Sequence, residues 1–354
     1  MAHPDTDTAP APGSGPGPGP GSGAGAGEGA GSGRPRRLRL PGSPVHRITA
    51  LAVLVAALLA FHSAVPPTIG HPGSLLETFL PWLGLAVPLL LGLALLRRSA
   101  VAALALLLPA AAWLGQFGGL LLPAGPGVGS EGGGRTDVVA VQHNVGDDNP
   151  DPGGTARALA ATRADLIALE ELTPTALPAF TTALAADYPH HATHGTVGLW
   201  SKYPLTDVRP VDIRPAGLGP DWNRALRASA ATPRGPVAVY VAHLPSLRLG
   251  PSGFGSGRRD ESAVLLGAVL AAEPAERVVL LGDLNSTVDD RGLDPVRAAG
   301  LNPPASGFAF SWPASFPLAR IDQVLARSGT VTGIRALPAT RSDHLPVRAV
   351  IRFG

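Results

Sequence analysis

Residues 278–285 read VVLLGDLN: Val278, Val279, Leu280 and Leu281 form a short aliphatic run, and Asp283 and Asn285 close it with a carboxylate and a carboxamide. The same construction recurs in Gln142-His143-Asn144-Val145, Leu169-Glu170-Glu171-Leu172 and Ser342-Asp343-His344-Leu345. Such runs read as buried strands, and strand ends present their side chains to a shared cleft. Asp283 and Asn285 stand two residues apart, which puts both on one side of an extended segment. A cleft furnished with Asn, Glu, Asp and His is rich in oxygen donors and suits a hard divalent cation such as Mg²⁺. That combination points to the hydrolysis of phosphate esters.

Around these motifs the pattern alternates. Strands are predicted at Asp137–His143, Leu166–Leu169, Val197–Ser201, Val237–His243, Val278–Leu281, Ile321–Leu325 and Val347–Ile351, and helices at Pro152–Ala164 and Arg258–Ala272. Several strand pairs are joined only by turns, so mixed sheets with covering helices are expected rather than one parallel sheet. His190, His191 and His194, flanked by Pro189 and Gly195, read as a surface loop rather than a zinc site.

The first third of the chain is different. Residues 1–33 are almost wholly Gly, Pro, Ala, Ser and Asp. They cannot bury enough surface to offset ordering entropy, so 1–47 reads as a disordered cytoplasmic tail ending in a basic juxtamembrane segment. Residues 48–65, 79–96 and 100–122 are apolar runs at or near the roughly 20 residues that cross a bilayer as a helix. Arg34, Arg36, Arg37, Arg39 and Arg47 precede the first run, Arg97 and Arg98 separate the second and third, and 62–78 holds no Lys or Arg. The positive-inside rule then makes the chain a multi-pass protein of the cell membrane, with its N-terminus cytoplasmic and everything after Leu122 outside. Residues 123–134 form a Gly-rich linker with a reach of about 20 Å, which would hold the domain at 135–354 close to the outer leaflet.

The absence of Cys excludes a disulfide framework, a thiolate nucleophile and a Cys-ligated metal. The formal charge of +2 lies wholly in residues 1–134; residues 135–354 balance to zero. A dedicated nucleic-acid binder usually carries a basic excess, so none is expected as partner. No Gly-x-Ser-x-Gly elbow, His-Glu-x-x-His or Gly-Lys-Ser/Thr phosphate loop supports a rival chemistry.

The ordered series Asn144, Leu169-Glu170-Glu171, Trp200-Ser201-Lys202-Tyr203-Pro204-Leu205, Val241-Ala242-His243-Leu244, Gly282-Asp283-Leu284-Asn285, Arg320-Ile321-Asp322 and Ser342-Asp343-His344 resembles the endonuclease/exonuclease/phosphatase superfamily. The resemblance covers nearly all of residues 135–354. It implies a four-layer α/β sandwich, two packed mixed β-sheets flanked by helices, with its site at one sheet edge. With three apolar runs in front, the layout is similar to the membrane-anchored VanJ-type proteins linked to glycopeptide (teicoplanin) resistance. Those are thought to act outside the cell on undecaprenyl pyrophosphate.

The resemblance also implies roles. Glu171, Asp343 and Asn144 would hold Mg²⁺, or Mn²⁺ in its place. Asp283 would orient the attacking water and Asn285 the phosphate. His344 would contact the phosphoryl group or activate water, with Asp322 fixing its tautomer. His243 is the candidate acid for the departing group. Glu170 is expected to face water, and His143 to be a strand residue. Lys202, Arg258 and Arg259 are candidates for gripping phosphate. The implied activity is metal-dependent hydrolysis of a membrane lipid phosphate or pyrophosphate, with the bilayer as partner. A tethered nuclease, a phospholipase C-like enzyme and an inactive binding module are the alternatives.

Overall fold

The computed structural model describes residues 44–66, 70–122, 137–250 and 253–354. The expected tail as far as residue 43 and the expected linker at 123–134 lie outside the described residues. Five apolar helices come first: α1 (Pro44–Ala60), α2 (Pro72–Thr78), α3 (Ala86–Leu96), α4 (Ala100–Ala105) and α5 (Leu107–Phe117). The stretch Ala100–Leu121, 22 residues, is long and apolar enough to cross a membrane. Pro72–Thr78 and Leu80–Leu96 pass that test only together, and they are bent by 68° at Phe79. Pro44–Ala60 is shorter, at 17 residues, because the expected first run turns into a 3-10 turn at His62–Ala64.

Residues 137–354 fold into two sheets. The first is ordered β12 (Gly329–Ala336), β13 (Val347–Phe353), β1 (Asp137–Asn144), β2 (Leu166–Glu170), β4 (Val197–Ser201) and β3 (His190–His194). The second is ordered β11 (Asp322–Arg327), β10 (Val278–Asp283), β7 (Gly235–Ala242), β6 (Ala225–Thr232) and β5 (Leu205–Pro210). A small hairpin pairs β8 (Leu249–Gly250) with β9 (Gly253–Phe254). Both main sheets are mixed: β1 runs parallel to β2 and β10 parallel to β7, and the other pairs are antiparallel. The His190–His194 segment is therefore an edge strand, not a loop, and His191 stacks on Trp200.

Side chains alternate across a strand, and this alternation builds the layers. Val138 and Ala140 of β1, Leu166 and Ala168 of β2, Val239 and Val241 of β7 and Val279 and Leu281 of β10 fill the space between the sheets. The residues between them face outward. Val139, Val141, Ile167 and Leu169 meet α6 (Pro152–Ala160) and α7 (Leu177–Leu184). Tyr240, Val278 and Leu280 meet α8 (Gly257–Ala271) and α9 (Asp294–Ala298). Helix, sheet, sheet, helix is the expected order of layers. The helix predicted to reach Ala164 stops at Ala160, and Arg163 takes a left-handed φ of 53° on the way into β2.

An ion pair stiffens the far side of the second sheet. Tyr240 Oη donates to Glu273 at 2.6 Å, Arg227 Nε at 3.1 Å and the Ala275 N–H at 3.0 Å. Burial pushes the Glu273 carboxyl up, but these hydrogen bonds outweigh it and hold the group at about 2. A carboxyl depressed in the fold stabilises it above the ordinary value of 4.5, and that stability drains away as pH falls toward 2. Glu273→Gln is expected to cost about 3 kcal/mol at neutral pH. Thermal unfolding of the detergent-solubilised chain should show the gap between the two proteins shrinking as the solution is acidified through the carboxylate range.

Candidate active site

The alternation that builds the inter-sheet core also builds the site. Gln142 and Asn144 continue the inward side of β1, Glu170 that of β2, Asp283 that of β10 and Asp322 that of β11. His243 extends the same side beyond β7. One end of the apolar layer is thereby closed by polar side chains. Asp283 and Asp322 face each other in register across β10 and β11. Gly282 lets β10 approach β7, since a Cβ there would lie 1.9 Å from the Ala242 carbonyl oxygen. Glu171 and Asn285 leave their strands with left-handed φ values of 58° and 48°. Such backbone costs about 1–3 kcal/mol per residue and gathers at functional positions.

The sequence-predicted residues converge. His344 Nδ1 donates to Asp322 Oδ2 at 2.8 Å, and its Nε2 stands 3.7 Å from Asp283 Oδ2. His243 Nε2 is 3.6 Å from the same Asp283 oxygen and 3.8 Å from Glu171 Oε1. Asn144 Nδ2 donates to Asp283 Oδ2 at 3.0 Å. Asn285 donates its backbone N–H to Asp283 Oδ1 at 2.9 Å and its side-chain amide to the Leu244 carbonyl. Ser342 fixes the loop that carries His344 by donating its hydroxyl to the Asn144 carbonyl at 2.7 Å.

Electrostatics separate the roles. Burial alone would lower His344, but Asp322 and Asp283 overcome it and raise the imidazole to about 10. At neutral pH it is a cation presenting Nε2–H, which favours contact with a phosphoryl oxygen over activation of water. Burial raises Asp283 to about 7, with Asp322 adding to the rise and His344 opposing it. A carboxyl poised near 7 is suited to take a proton from water. Burial raises Asp322, but His344, Ser311 and Gln142 outweigh it and hold the group ionised. His243 is driven well below 6.5 by burial, Arg224 and His344. It is therefore neutral at physiological pH, which suits a hydrogen-bond donor better than the acid for the departing group expected from the sequence.

Three expectations are corrected. Lys202 follows β4 at the end paired with Leu166, about 15 Å of strand away from Glu170. Its ammonium donates to the Arg163 carbonyl at 2.6 Å and does not reach the site. Arg259 is 1% exposed and bound to Asp290, Ser74 and Ser286, so it holds the structure together and meets no substrate. Glu170 is fully buried, not solvated: it accepts from Gln142 at 2.7 Å, and burial with Asp322 and Asp283 raises it well above 4.5. Arg258 is exposed and lines a neighbouring cavity. His143 is buried in β1 against Thr340. Sequence reasoning missed Gln142, which donates to both Glu170 and Asp322, and Arg224, which donates to the His243 ring at 3.1 Å. The inward parity of Gln142 was the available signal.

The sequence profile of the endonuclease/exonuclease/phosphatase family matches residues 141–344, more than half of the chain. The chain belongs to that family. None of the curated proteins matches it. Among solved structures it is similar to beta toxin 275-280 from Staphylococcus aureus, at 15% identity and a TM-score of 0.51, over 60% of this chain and 99% of that one. It is also similar to D. rerio TDP2 complexed with single strand DNA product, at 18% identity and a TM-score of 0.50, over 61% of this chain and 99% of that one. At these identities the likeness shows the fold.

Family membership makes the chain a metal-dependent hydrolase of phosphoric esters. The donor set fits such a metal. Asp283, Asp322 and His344 lie within 4.8 Å of one another, but Asp322 and His344 already bind each other. Glu171, Asn144 and Asp343 line the same cavity and offer oxygens to a hard cation. A divalent ion held there supplies Lewis acidity to a phosphoryl oxygen. Asp322→Asn should cut kcat for p-nitrophenyl phosphate by about 10²–10⁴-fold, with the far-ultraviolet circular dichroism unchanged. Lys202→Ala should leave the rate within about twofold of the unaltered chain, whereas Arg259→Ala should lower stability by about 3–5 kcal/mol by stranding buried Asp290. Paired rate and unfolding measurements separate these effects.

Proposed function

We propose that this chain is a membrane-anchored, Mg²⁺-dependent phosphohydrolase that acts outside the cytoplasm on a lipid phosphate or pyrophosphate, with undecaprenyl pyrophosphate the leading candidate. Mn²⁺ is expected to replace Mg²⁺. The observation that carries this reading is the two-sided site cavity, about 400 Å³ in volume. Asn144, Glu171, Asp283 and His344 line one side; Leu75 and Thr78 of α2 and Phe79, at the bend that follows it, line the other. The phosphoryl end of an amphiphile suits the first side and its hydrocarbon the second. The apolar wall is of no use to duplex nucleic acid, and the domain has no basic excess.

The helices support anchoring. Leu51, Leu54, Leu85, Leu89, Leu95, Leu104, Leu107 and Leu121 expose roughly half or more of their surface, an apolar area too large for contact with water alone. Phe79 and Trp82 lie at the catalytic end of the second apolar run, and Arg97 and Arg98 lie at its other end, about 25 Å away along the helix. An Arg pair on the side away from the site favours an external site. Release of phosphate from the cell-wall lipid carrier would also account for a link to glycopeptide resistance.

The purified full chain in detergent should release phosphate from undecaprenyl pyrophosphate with Mg²⁺ and stop on addition of EDTA. Phe79→Asp should raise KM for that lipid about 10–100-fold through lost apolar contact, while p-nitrophenyl phosphate turnover stays within about twofold. An equal loss on both substrates, or rapid plasmid cutting with no lipid turnover, would overturn the reading.

A further inference from the structure

A second cavity of about 430 Å³ adjoins the catalytic one, and Ser246 lines both. Arg224, Arg248 and Arg258 converge on it. No carboxylate pairs with any of these three among the described residues, in contrast to Arg227, Arg259 and Arg291. Arg224 is anchored: its guanidinium lies over the Trp222 ring at 5.4 Å and donates to His243, which stands 3.6 Å from Asp283. One imidazole ring thus separates this basic cavity from the catalytic carboxylates. Gly257 and Arg258 open the 15-residue helix α8 at the same place. The cap residue Ser256 donates its hydroxyl to Asp260 at 2.7 Å and has His71 Nδ1 at 2.9 Å, so it does not cap the first N–H groups. Uncapped N–H groups at a helix start favour an anion, and they add to the three guanidinium groups.

From this arrangement we infer that the Arg224–Arg248–Arg258 cavity is a second phosphoryl subsite, which holds the inner phosphoryl group of a diphosphate while the terminal one sits among Asn144, Asp283 and His344. The inference rests on the phosphohydrolase reading and deepens it, from a lipid phosphate in general to a diphosphate ester. Water oxygen adds to the terminal phosphorus, and the bond from that phosphorus to the bridging oxygen breaks. The bridging oxygen keeps the electron pair and departs on the inner phosphoryl group as a monophosphate ester. The proton released by the water ends on the product oxygens. Guanidinium groups match a phosphoryl group in bidentate fashion, and here they face the oxygen on which charge develops. A monophosphate ester has nothing to place in this cavity, so the subsite selects for diphosphates.

The test is calorimetric titration of the full chain in detergent with Mg²⁺ present, using methylenediphosphonate, orthophosphate and a single-stranded oligonucleotide as probes. Methylenediphosphonate should bind at least about tenfold more tightly than orthophosphate. The double variant Arg248→Ala/Arg258→Ala alters exposed side chains and so leaves the core intact. It should lose about tenfold or more for methylenediphosphonate and less than about threefold for orthophosphate. Equal losses for both probes, or no loss for either, would overturn the subsite. Tighter binding of the oligonucleotide, lost in the same variant, would assign the arginines to a nucleic-acid backbone and overturn it as well. Binding as expected without phosphate release from the polyprenyl lipid by the unaltered chain would refute the lipid reading and leave the subsite standing.

Discussion

Polar side chains close one end of the layer between the two sheets, and the rest of the site follows from the need to satisfy them there. Gln142, Asn144, Glu170, His243, Asp283 and Asp322 are each nearly or fully buried. A buried polar group without a partner is costly, and two carboxylates side by side repel. Asp283 and Asp322 stand in register across β10 and β11, so either one keeps its proton or a cation comes between them. His344 fills that place. It belongs to no strand, so its loop must be secured separately. Ser342 ties the loop to the Asn144 carbonyl, and the Leu345 N–H donates to Ser311 at 2.8 Å.

The same logic binds the apolar helices to the domain. Arg259 and Asp290 are both buried and pair at 2.8 Å, and Ser74 of α2 donates to Asp290 while accepting from Arg259. Arg291 pairs with Glu77 of α2 at 3.1 Å and donates to the Val65 carbonyl. Farther along, Trp82 Nε1 donates to the Leu318 carbonyl at 2.7 Å, and Phe308 packs against Trp113 and Phe117. Directional bonds fix the height and rotation of the 70–82 segment, which apolar packing alone would leave free to slide. Leu75 and Phe79 consequently form a wall at a set distance from the catalytic carboxylates.

The sequence made much of this legible because strand periodicity is local. Aliphatic runs ending in Asn144, Glu171 and Asp283 predicted both the strands and the convergence of their ends. The Asp322–His344 pair was foreseen from the family pattern and is found at hydrogen-bond distance. What stayed hidden was set by tertiary structure. Arg258 and Arg259 are neighbours on one helix, yet the helix face turns one into a buried ion pair and the other into a cavity wall. Lys202 follows a strand whose antiparallel pairing sends it to the wrong end of the sheet. β3 was missed because its edge position allows polar histidines, which erases the apolar alternation that marks a buried strand. The docking role of Ser74 and Glu77 involves partners more than two hundred residues away, beyond the reach of any local pattern.

Two histidines in one cavity take opposite charge states, and the division of labour follows from that. His344 sees Asp322 and Asp283, which overcome its burial and raise it to about 10; His243 is lowered first by burial and then by Arg224 and the charged His344, and falls well below 6.5. Groups whose environments push them apart mark separate acid–base roles. A His344 that is charged at neutral pH can hold a phosphoryl oxygen from the start of the reaction, without first gaining a proton. A neutral His243 can touch both Asp283 and Arg224 without adding charge to either. It thereby insulates the carboxylate-rich cavity, which attracts a metal cation, from the arginine-rich cavity, which attracts an anion. Were His243 charged, it would pair with Asp283 and pull that carboxyl down from about 7, removing the base suited to the attacking water. The burial that keeps His243 neutral, reinforced by Arg224, is therefore as much a part of the hydrolytic chemistry as the carboxylates themselves.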